Sequence, residues 1–295
     1  MQAQRALLDP GRWHFQHGPI DIVIGAEGYA AAVAAAHEAA WGRFETVLPE
    51  LVAELCALRL LLRGSCALQG VIARRMWHAC RPYHSQFITP MAAVAGSVAQ
   101  ELIVCYEREG IARAWVNNGG DIALHLSPGA SVKVGLFADL ARFDCAQSTL
   151  QTDGHFEVHA LMPVRGIATS GWRGRSFSLG IADSVTVLAR TAAMADAAAT
   201  VIANAVNVND ARIERRPANQ LKDDCDLGDI EVTVDVPPLE EAQVACALQA
   251  GARRARELQR DGLIHSAVLV CQHRLARVEA IMPMPAPIEL GSVFA

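Results

Sequence analysis

Three segments bring together residue types with usable chemistry. In the first, Val116-Asn117-Asn118-Gly119-Gly120-Asp121-Ile122, two glycines let the backbone take positive φ and approach a ligand closely. Successive amides in such a turn form a concavity that suits an anion. Asn118 and Asp121 add hydrogen bonds of the kind a ring or ribose accepts. The same residues also suit an ordinary β-hairpin turn, where Asn and Gly dominate. The second segment runs from Gly166 to Ser176 and holds Thr169, Ser170, Gly171, Arg173 and Arg175. Amides, hydroxyls and guanidinium forks there suit a phosphate or carboxylate, or make up an exposed loop. In the third, Asp183-Ser184-Val185-Thr186-Val187 leads into an alanine-rich stretch with Asp196 and Thr200 at i,i+4. On a helix both oxygens project from one face. A carboxylate with a hydroxyl is a hard-oxygen pair that suits Mg²⁺, or else Thr200 bonds back to its own helix.

These segments need elements to hold them. Trp13 and Phe15, then Ile20, Ile22 and Ile24, alternate around Gly18-Pro19 and predict two strands and a turn. Tyr29 to about Leu62 reads as helix, divided at Pro49. Ala92 to Arg108 reads as helix ending at Gly110. Strands are expected at Ala112–Val116, Ile122–Leu126, Val132–Phe137 and Phe156–Val164. Gly166 to Gly174 reads as a loop, and Ser184–Leu188 as a strand. Thr191–Val206 reads as helix, Ile230–Val236 as strand and Leu239–Arg260 as helix. Val268–Cys271 and Leu275–Ile281 close as strands, with Met282-Pro283-Met284-Pro285 extended beyond. No linker or repeat divides the chain, so the expectation is one α+β unit over residues 1–295, with mixed or antiparallel sheets and packed helices.

Composition narrows the function classes. The chain has 295 residues, 26 Lys+Arg against 31 Asp+Glu, and 52% hydrophobic residues. That is ample apolar material for a core. A formal net charge of -5 with no long basic block argues against nucleic-acid binding. The charge-free window Pro82–Gln100 carries too many polar groups to cross a membrane. Met1 to Arg12 has no apolar stretch of the signal-peptide kind, and the eight cysteines show no CxxC, so a reducing cytoplasm is expected. Cys56, Cys105 and Cys246 sit in apolar helix-like stretches and read as small core residues. Secondary candidates are His155, Glu157 and His159 on one strand face, as metal ligands or solvated residues. Arg74, Arg75, His78, Arg81 and His84 form a basic cluster, as an anion site or a wet helix face. Asp223, Asp224, Asp226 and Asp229 surround Cys225 in an acidic loop, as a help in binding a cation or as a solvated loop.

In order, Asn118-Gly119-Gly120-Asp121, Thr169-Ser170-Gly171, Ser184-Val185-Thr186-Val187 and Ala195-Asp196 with Thr200 resemble the ApbE family of flavin transferases. Met91-Ala92-Ala93-Val94-Ala95-Gly96 loosely matches that family's glycine-rich helix start. The whole chain is similar to an uncharacterised branch of ApbE-like proteins, through Arg74-Arg75-Met76, Thr89 to Gly96, Val116 to Asp121, Gly166 to Ser178, Ala195 to Val206 and Asp226-Leu227-Gly228. The resemblance implies an ApbE-like, T-fold-related α+β domain that binds FAD and, with Mg²⁺, transfers FMN to a protein hydroxyl. It places Mg²⁺ on Asp196 and Thr200, and lines a flavin pocket with the segments at Gly119–Asp121 and Thr169–Gly171. The family's H-x-x-D-P-x-T-G segment, whose His serves transfer, is replaced here by Ser176 to Asp183. The resulting expectation is a cytoplasmic protein for a small anionic, ring-bearing ligand, with Mg²⁺-assisted phosphoryl or nucleotidyl transfer as its chemistry. The alternatives are a biosynthetic enzyme for a pterin-type one-carbon cofactor, by fold analogy, and a non-catalytic flavin-binding module. The wide apolar helix faces are compatible with a homodimer.

Overall fold

The computed structural model describes residues 2–8, 11–136, 154–223 and 225–280. The expected tail at Met282–Pro285, the end of the strand expectation at Phe137, and Asp224 and Cys145 lie outside the described residues. The chain divides into two compact units that interleave along the sequence. The first takes Met1–Val132, His159–Ala168 and Ala189–Ala197; the second takes the rest.

The first unit is built on antiparallel strands β1 (Gln4–Leu8), β2 (Arg12–His17), β3 (Ile20–Gly28), β4 (Ile111–Asn118) and β5 (Asp121–Leu126), neighbours in that order. β8 (Gly166–Ser170) continues the row through Ile122↔Ile167. The alternation at Trp13–Ile24 forms β2 and β3 as expected, with Phe15 opposite Ile22 across the turn at Gly18. Phe15, Ile22 and Ile24 are fully buried, which fixes the register, because a slip by one residue would turn all three outward. β1 was not expected: its residues are mostly exposed and carry no alternation.

Helix α1 (Ala30–Ala53) packs on β2 and β3. It runs through Pro49, contrary to the expected division there. Val47 and Leu51, on either side of the proline, are buried, and their packing offsets the one ladder bond that proline removes. The break comes instead at Glu54, before the short α2 (Leu55–Leu58). Glu54 accepts the amides of Gln69 and Gly70 at 2.7 and 2.6 Å, which seats the start of α3 (Val71–Cys80). Helix α4 (Val94–Ile103) packs on β4 and β5 and ends in a 3₁₀ turn at Val104–Tyr106.

The second unit holds antiparallel β9 (Ser184–Ala189), β12 (Ser266–Cys271) and β13 (Arg274–Val278) in the order β9-β12-β13, with α6 (Glu241–Arg260) packed on β12 and β13. β10 (Glu214–Pro217) pairs antiparallel with β11 (Glu231–Asp235). β6 (Ser131–Leu136) pairs with β7 (Gly154–His159) and lies mostly in this unit. Helix α5 (Ala192–Ala205) begins in the first unit and ends in the second. The α+β class is as expected. The segment expected as a loop from Gly166 is a strand to Ser170, because Gly166, Ile167 and Ala168 are buried in a sheet row. The cysteine reading is corrected: Cys56 and Cys246 are exposed and Cys105 is half-buried, while among the described residues Cys80 and Cys271 are buried. The first two fall on the outer faces of their helices, which an all-apolar local composition hides.

Candidate functional site

The Asn-Gly-Gly-Asp segment is a hairpin turn, and more. Gly119 and Gly120 take φ of 67° and 111°, Asn118 pairs with Asp121 across the turn, and the Gly120 amide donates to Asn117 Oδ1 at 2.8 Å. Strand alternation sets Asn118 and Asp121 on the face of Ala114, Val116 and Ala123, the buried face. Asn118 and Asp121 are each only 8% exposed. Asn118 Nδ2 donates to the Ala95 carbonyl at 3.2 Å, which ties the turn to the start of α4. Glycine does the turning, and the two flanking side chains both lie on the buried face.

Asp196 meets the same place from α5. Its Oδ2 accepts the Gly96 amide at 2.8 Å, and the Ala95 amide also supports it. These are amides of the first turn of α4, which have no partner within their own helix and which favour negative charge. Gly96 makes the approach possible. A Cβ there would lie 2.3 Å from the Ala192 carbonyl oxygen and 2.8 Å from Asp196 Cβ. Gly166 does the same at the start of α5, where a Cβ would fall 2.0 Å from the Thr191 carbonyl carbon. Gln100 Oε1 accepts the Ala193 amide at 3.3 Å and fixes the two helices further.

Burial of the Asp196 carboxyl, with Asp121 facing it, pushes it well above the usual carboxylate range. The two α4 amides pull the other way and do not balance these effects. The pair therefore holds one negative charge more easily than two unless a proton or a cation sits with it. Burial, and then Asp196, also push the Cys80 thiol up, so Cys80 is an inert neighbour and no nucleophile. Thr200 follows Asp196 by one turn on α5 and is half-buried.

In the second unit, Thr169 Oγ1 lies 2.9 Å from Thr186 Oγ1, which ties the end of β8 to β9. Ser170 is half-buried beside it. Gly171 is buried, and a Cβ on it would stand 2.4 Å from the Asp183 carbonyl oxygen. Arg173 and Arg175 are exposed, and the Arg173 guanidinium lies 4.8 Å from the centre of the Trp172 ring. This turn carries positive charge at a surface, on a backbone fixed from below.

The segment in the place of the family's His motif is pinned throughout. Asn204 Oδ1 accepts the Leu179 amide at 2.9 Å, and Asn207 Nδ2 donates to the Leu179 carbonyl at 2.9 Å. The Ile181 amide donates to Val206, and a Cβ on Gly180 would lie 2.0 Å from the Ala203 oxygen. It is a strap that carries no His, and its one carboxylate, Asp183, accepts the Gln272 amide and the Trp172 indole.

The secondary candidates resolve toward structure. Arg75 donates to the Ser97 carbonyl and pairs with Glu101, which also takes Arg43. Arg74, His78, Arg81 and His84 form an exposed face. His155, Glu157 and His159 alternate opposite buried Phe156 and Val158 as expected. Among the described residues no group of three or more His, Cys, Asp or Glu is placed to hold a metal ion. Asn219 spans the Asp223–Asp229 loop by donating to Asp229 at 2.7 Å. The reading from sequence named Gly96 and Asp183 within its motifs but gave neither a contact: Gly96 lies against Ala192 and Asp196, and Asp183 accepts from Gln272 and Trp172. The close helix approach leaves only a faint trace, a small residue in the first turn of a helix.

A family model described as AbpE bacteria matches residues 5–280. The chain belongs to this family. A UPF0280 protein of Methanothermobacter thermautotrophicus is 39% identical over 138 residues, 46% of this chain and 49% of that protein. A UPF0280 protein of Methanospirillum hungatei is 37% identical over 124 residues, 42% of this chain and 47% of that protein. The matched part thus spans about half the length of these curated relatives. The solved structure of the apo flavinyl transferase ApbE of Pseudomonas stutzeri aligns over 95% of this chain and 94% of that one, at 10% identity and a TM-score of 0.44. The apbe protein of Thermotoga maritima aligns over 95% and 96%, at 12% identity and a TM-score of 0.39. Among the described residues no helix is long and apolar enough to cross a membrane.

Proposed function

We propose that this member of the family binds a small anionic, ring-bearing ligand, a flavin nucleotide such as FAD or a related nucleotide or pterin, with Mg²⁺ held at Asp196. The observation that carries the reading is the seat of Asp196. The half-buried Asp196 carboxylate rests on two amides of the first turn of α4 and faces a second, buried carboxylate, Asp121. Hard oxygens in that arrangement favour a divalent cation, which would relieve the repulsion between them. Thr200 would add a hydroxyl from the same helix. Asn118, tied to the Ala95 carbonyl, and the Gly119–Gly120 turn next to Asp121 would offer polar contacts to a ring or ribose. In the second unit Thr169, Ser170, Gly171, Arg173 and Arg175 form an anion-attracting turn. A bound Mg²⁺ would supply charge neutralisation for phosphoryl or nucleotidyl transfer. The residues around it would orient oxygens and exclude water. The protein works in the cytoplasm in this reading.

Binding without flavin transfer to protein is favoured by one observation. The strap from Ser176 to Asp183 carries no His and is hydrogen-bonded along its length. The test is a native mass spectrum and absorbance scan of the purified protein, then titration with FAD with and without Mg²⁺. The expected result is Mg²⁺-dependent FAD binding that Asp196→Ala abolishes and no flavinylated protein product. Unchanged binding in that variant removes the metal role. Absence of any FAD effect removes the flavin and leaves the other anionic metabolites.

A further inference from the structure

The β12–β13 hairpin turns through Gln272 and His273 at φ of 42° and 63°. Residues other than Gly, Asn, Asp and His rarely take this region, so Gln272 is the exceptional one, and such residues persist where surrounding contacts over-determine them. Here the contacts converge on Asp183. The Gln272 amide donates to Asp183 Oδ2 at 2.5 Å. The Gln272 side chain is held too, accepting the Leu239 amide at 2.9 Å and donating to the Pro237 carbonyl at 2.7 Å. The other carboxylate oxygen, Oδ1, accepts the indole Nε1–H of Trp172 at 3.3 Å. The Trp172 amide donates to the Ala182 carbonyl, and the Asp183 amide donates to Val270. Gly171 lies flat on the Asp183 backbone. One carboxylate therefore links a strained turn to the loop whose Trp172 ring carries Arg173.

We propose that Asp183 is a positioning residue for ligand binding: its two oxygens fasten the Trp172–Arg173 stack to the Gln272–His273 turn, so that the Gly171–Arg175 loop presents its guanidinium groups to an anion in one arrangement. This rests on the reading of that loop as the anion-binding element. A carboxylate with one oxygen per loop does what no neutral side chain of its size does, since asparagine offers one acceptor and one donor, and both partners here are donors.

The test uses the full chain, with amide hydrogen exchange and with FAD and inorganic pyrophosphate as probes. Asp183→Asn keeps one acceptor, which goes to the shorter bond from the Gln272 amide. Exchange is expected to rise at least tenfold in residues 171–175 and to stay unchanged at 272–274. Affinity for both probes is expected to fall at least tenfold. Trp172→Phe, which leaves Asp183 in place, is expected to reproduce that exchange pattern and to lose the indole emission that shifts in Asp183→Asn. Asp183→Ala is expected to raise exchange in both segments. Wild-type exchange in residues 171–175 of Asp183→Asn overturns the proposal, as does wild-type affinity for both probes. If neither probe binds the wild-type protein, the anion reading of the loop falls, while the exchange pattern still decides whether Asp183 positions it.

Discussion

Two hairpins in this chain reverse direction through two residues of positive φ, and they do so by opposite means. At Gly119-Gly120 the residues have no Cβ, and the backbone conformation costs little. At Gln272-His273 both residues carry side chains, and the conformation costs roughly 1–2 kcal/mol per residue before compensation. Beside the glycine turn, Asn118 donates to the start of α4 and Asp121 faces Asp196. The Gln-His turn consumes a neighbouring carboxylate, Asp183, and both ends of the Gln272 amide group. Side chains are available for chemistry where glycine carries the backbone, and are spent on architecture where it does not.

Substitutions sharpen that contrast. The largest effect is expected from Gly96→Ala. Its Cβ would strike the Ala192 carbonyl, which is backbone and cannot swing aside. Overpacking of this kind costs about 1–3 kcal/mol or more, read by denaturant unfolding, and Mg²⁺-dependent binding should be lost with it. Asp183→Ala comes next. It leaves the Gln272 amide and the Trp172 indole without their acceptor, at about 1–3 kcal/mol for a buried donor, and a loss below 0.5 kcal/mol would mean that the strained turn holds itself. Gly120→Ala should cost about 1–2 kcal/mol from φ alone, since nothing stands within 4 Å of the new Cβ. His273→Gly is the smallest and has the opposite sign. It relieves the turn and should stabilise by about 0.5–1 kcal/mol, measured by the same unfolding curves; destabilisation would show that the His273 side chain contributes more than its strain.

The carboxylate pair gives a prediction that depends on pH. The Asp196 carboxyl is raised in the folded protein, so the folded state binds its proton more tightly than the unfolded state. Below the ordinary carboxylate range both states are protonated and the pair costs nothing. As pH rises from there through the folded value, stability falls, and the loss is complete above it. In Mg²⁺-free buffer Asp196→Asn should therefore melt higher than wild type at pH 8, with the difference closing toward pH 4. Adding Mg²⁺ should raise the wild type alone. A melting difference that does not vary with pH would mean that Asp121 and Asp196 do not act on each other.

Much of this was legible in the sequence, and the remainder was hidden for identifiable reasons. The β2–β3 and β4–β5 hairpins announce themselves because alternation and turn residues agree. Asp196 was singled out by its spacing to Thr200 and by the order of the motifs, and the structure adds the Gly96 amide and Asp121 around it. Its seat on Gly96 was not legible, because contact between residues a hundred positions apart leaves no local pattern. The same holds for Asp183 and Gln272, which are ordinary polar residues until their strands are brought together. The reading of Pro49 as a break failed because buried Val47 and Leu51 outweigh the local penalty. The exposed cysteines 56 and 246 were misplaced for the converse reason, since local composition does not say which face of a helix looks outward.

The chain passes between its two units after Val132, Val158, Ala168, Leu188 and Ala197. Neither unit is thus a continuous stretch that a shortened gene could encode. The pairing of β3 with β4 already joins segments separated by the whole of α1 to α4. Chains rich in such distant pairings pay loop-closure entropy before they gain contacts, and fold slowly for their size. Newly made protein would then remain without its Asp121–Asp196 pair until the last of the five passages has been synthesised. During synthesis β9, buried along its whole length in the folded protein, stays without its β12 partner until residues 266–271 emerge, and that interval is open to aggregation or to chaperone capture.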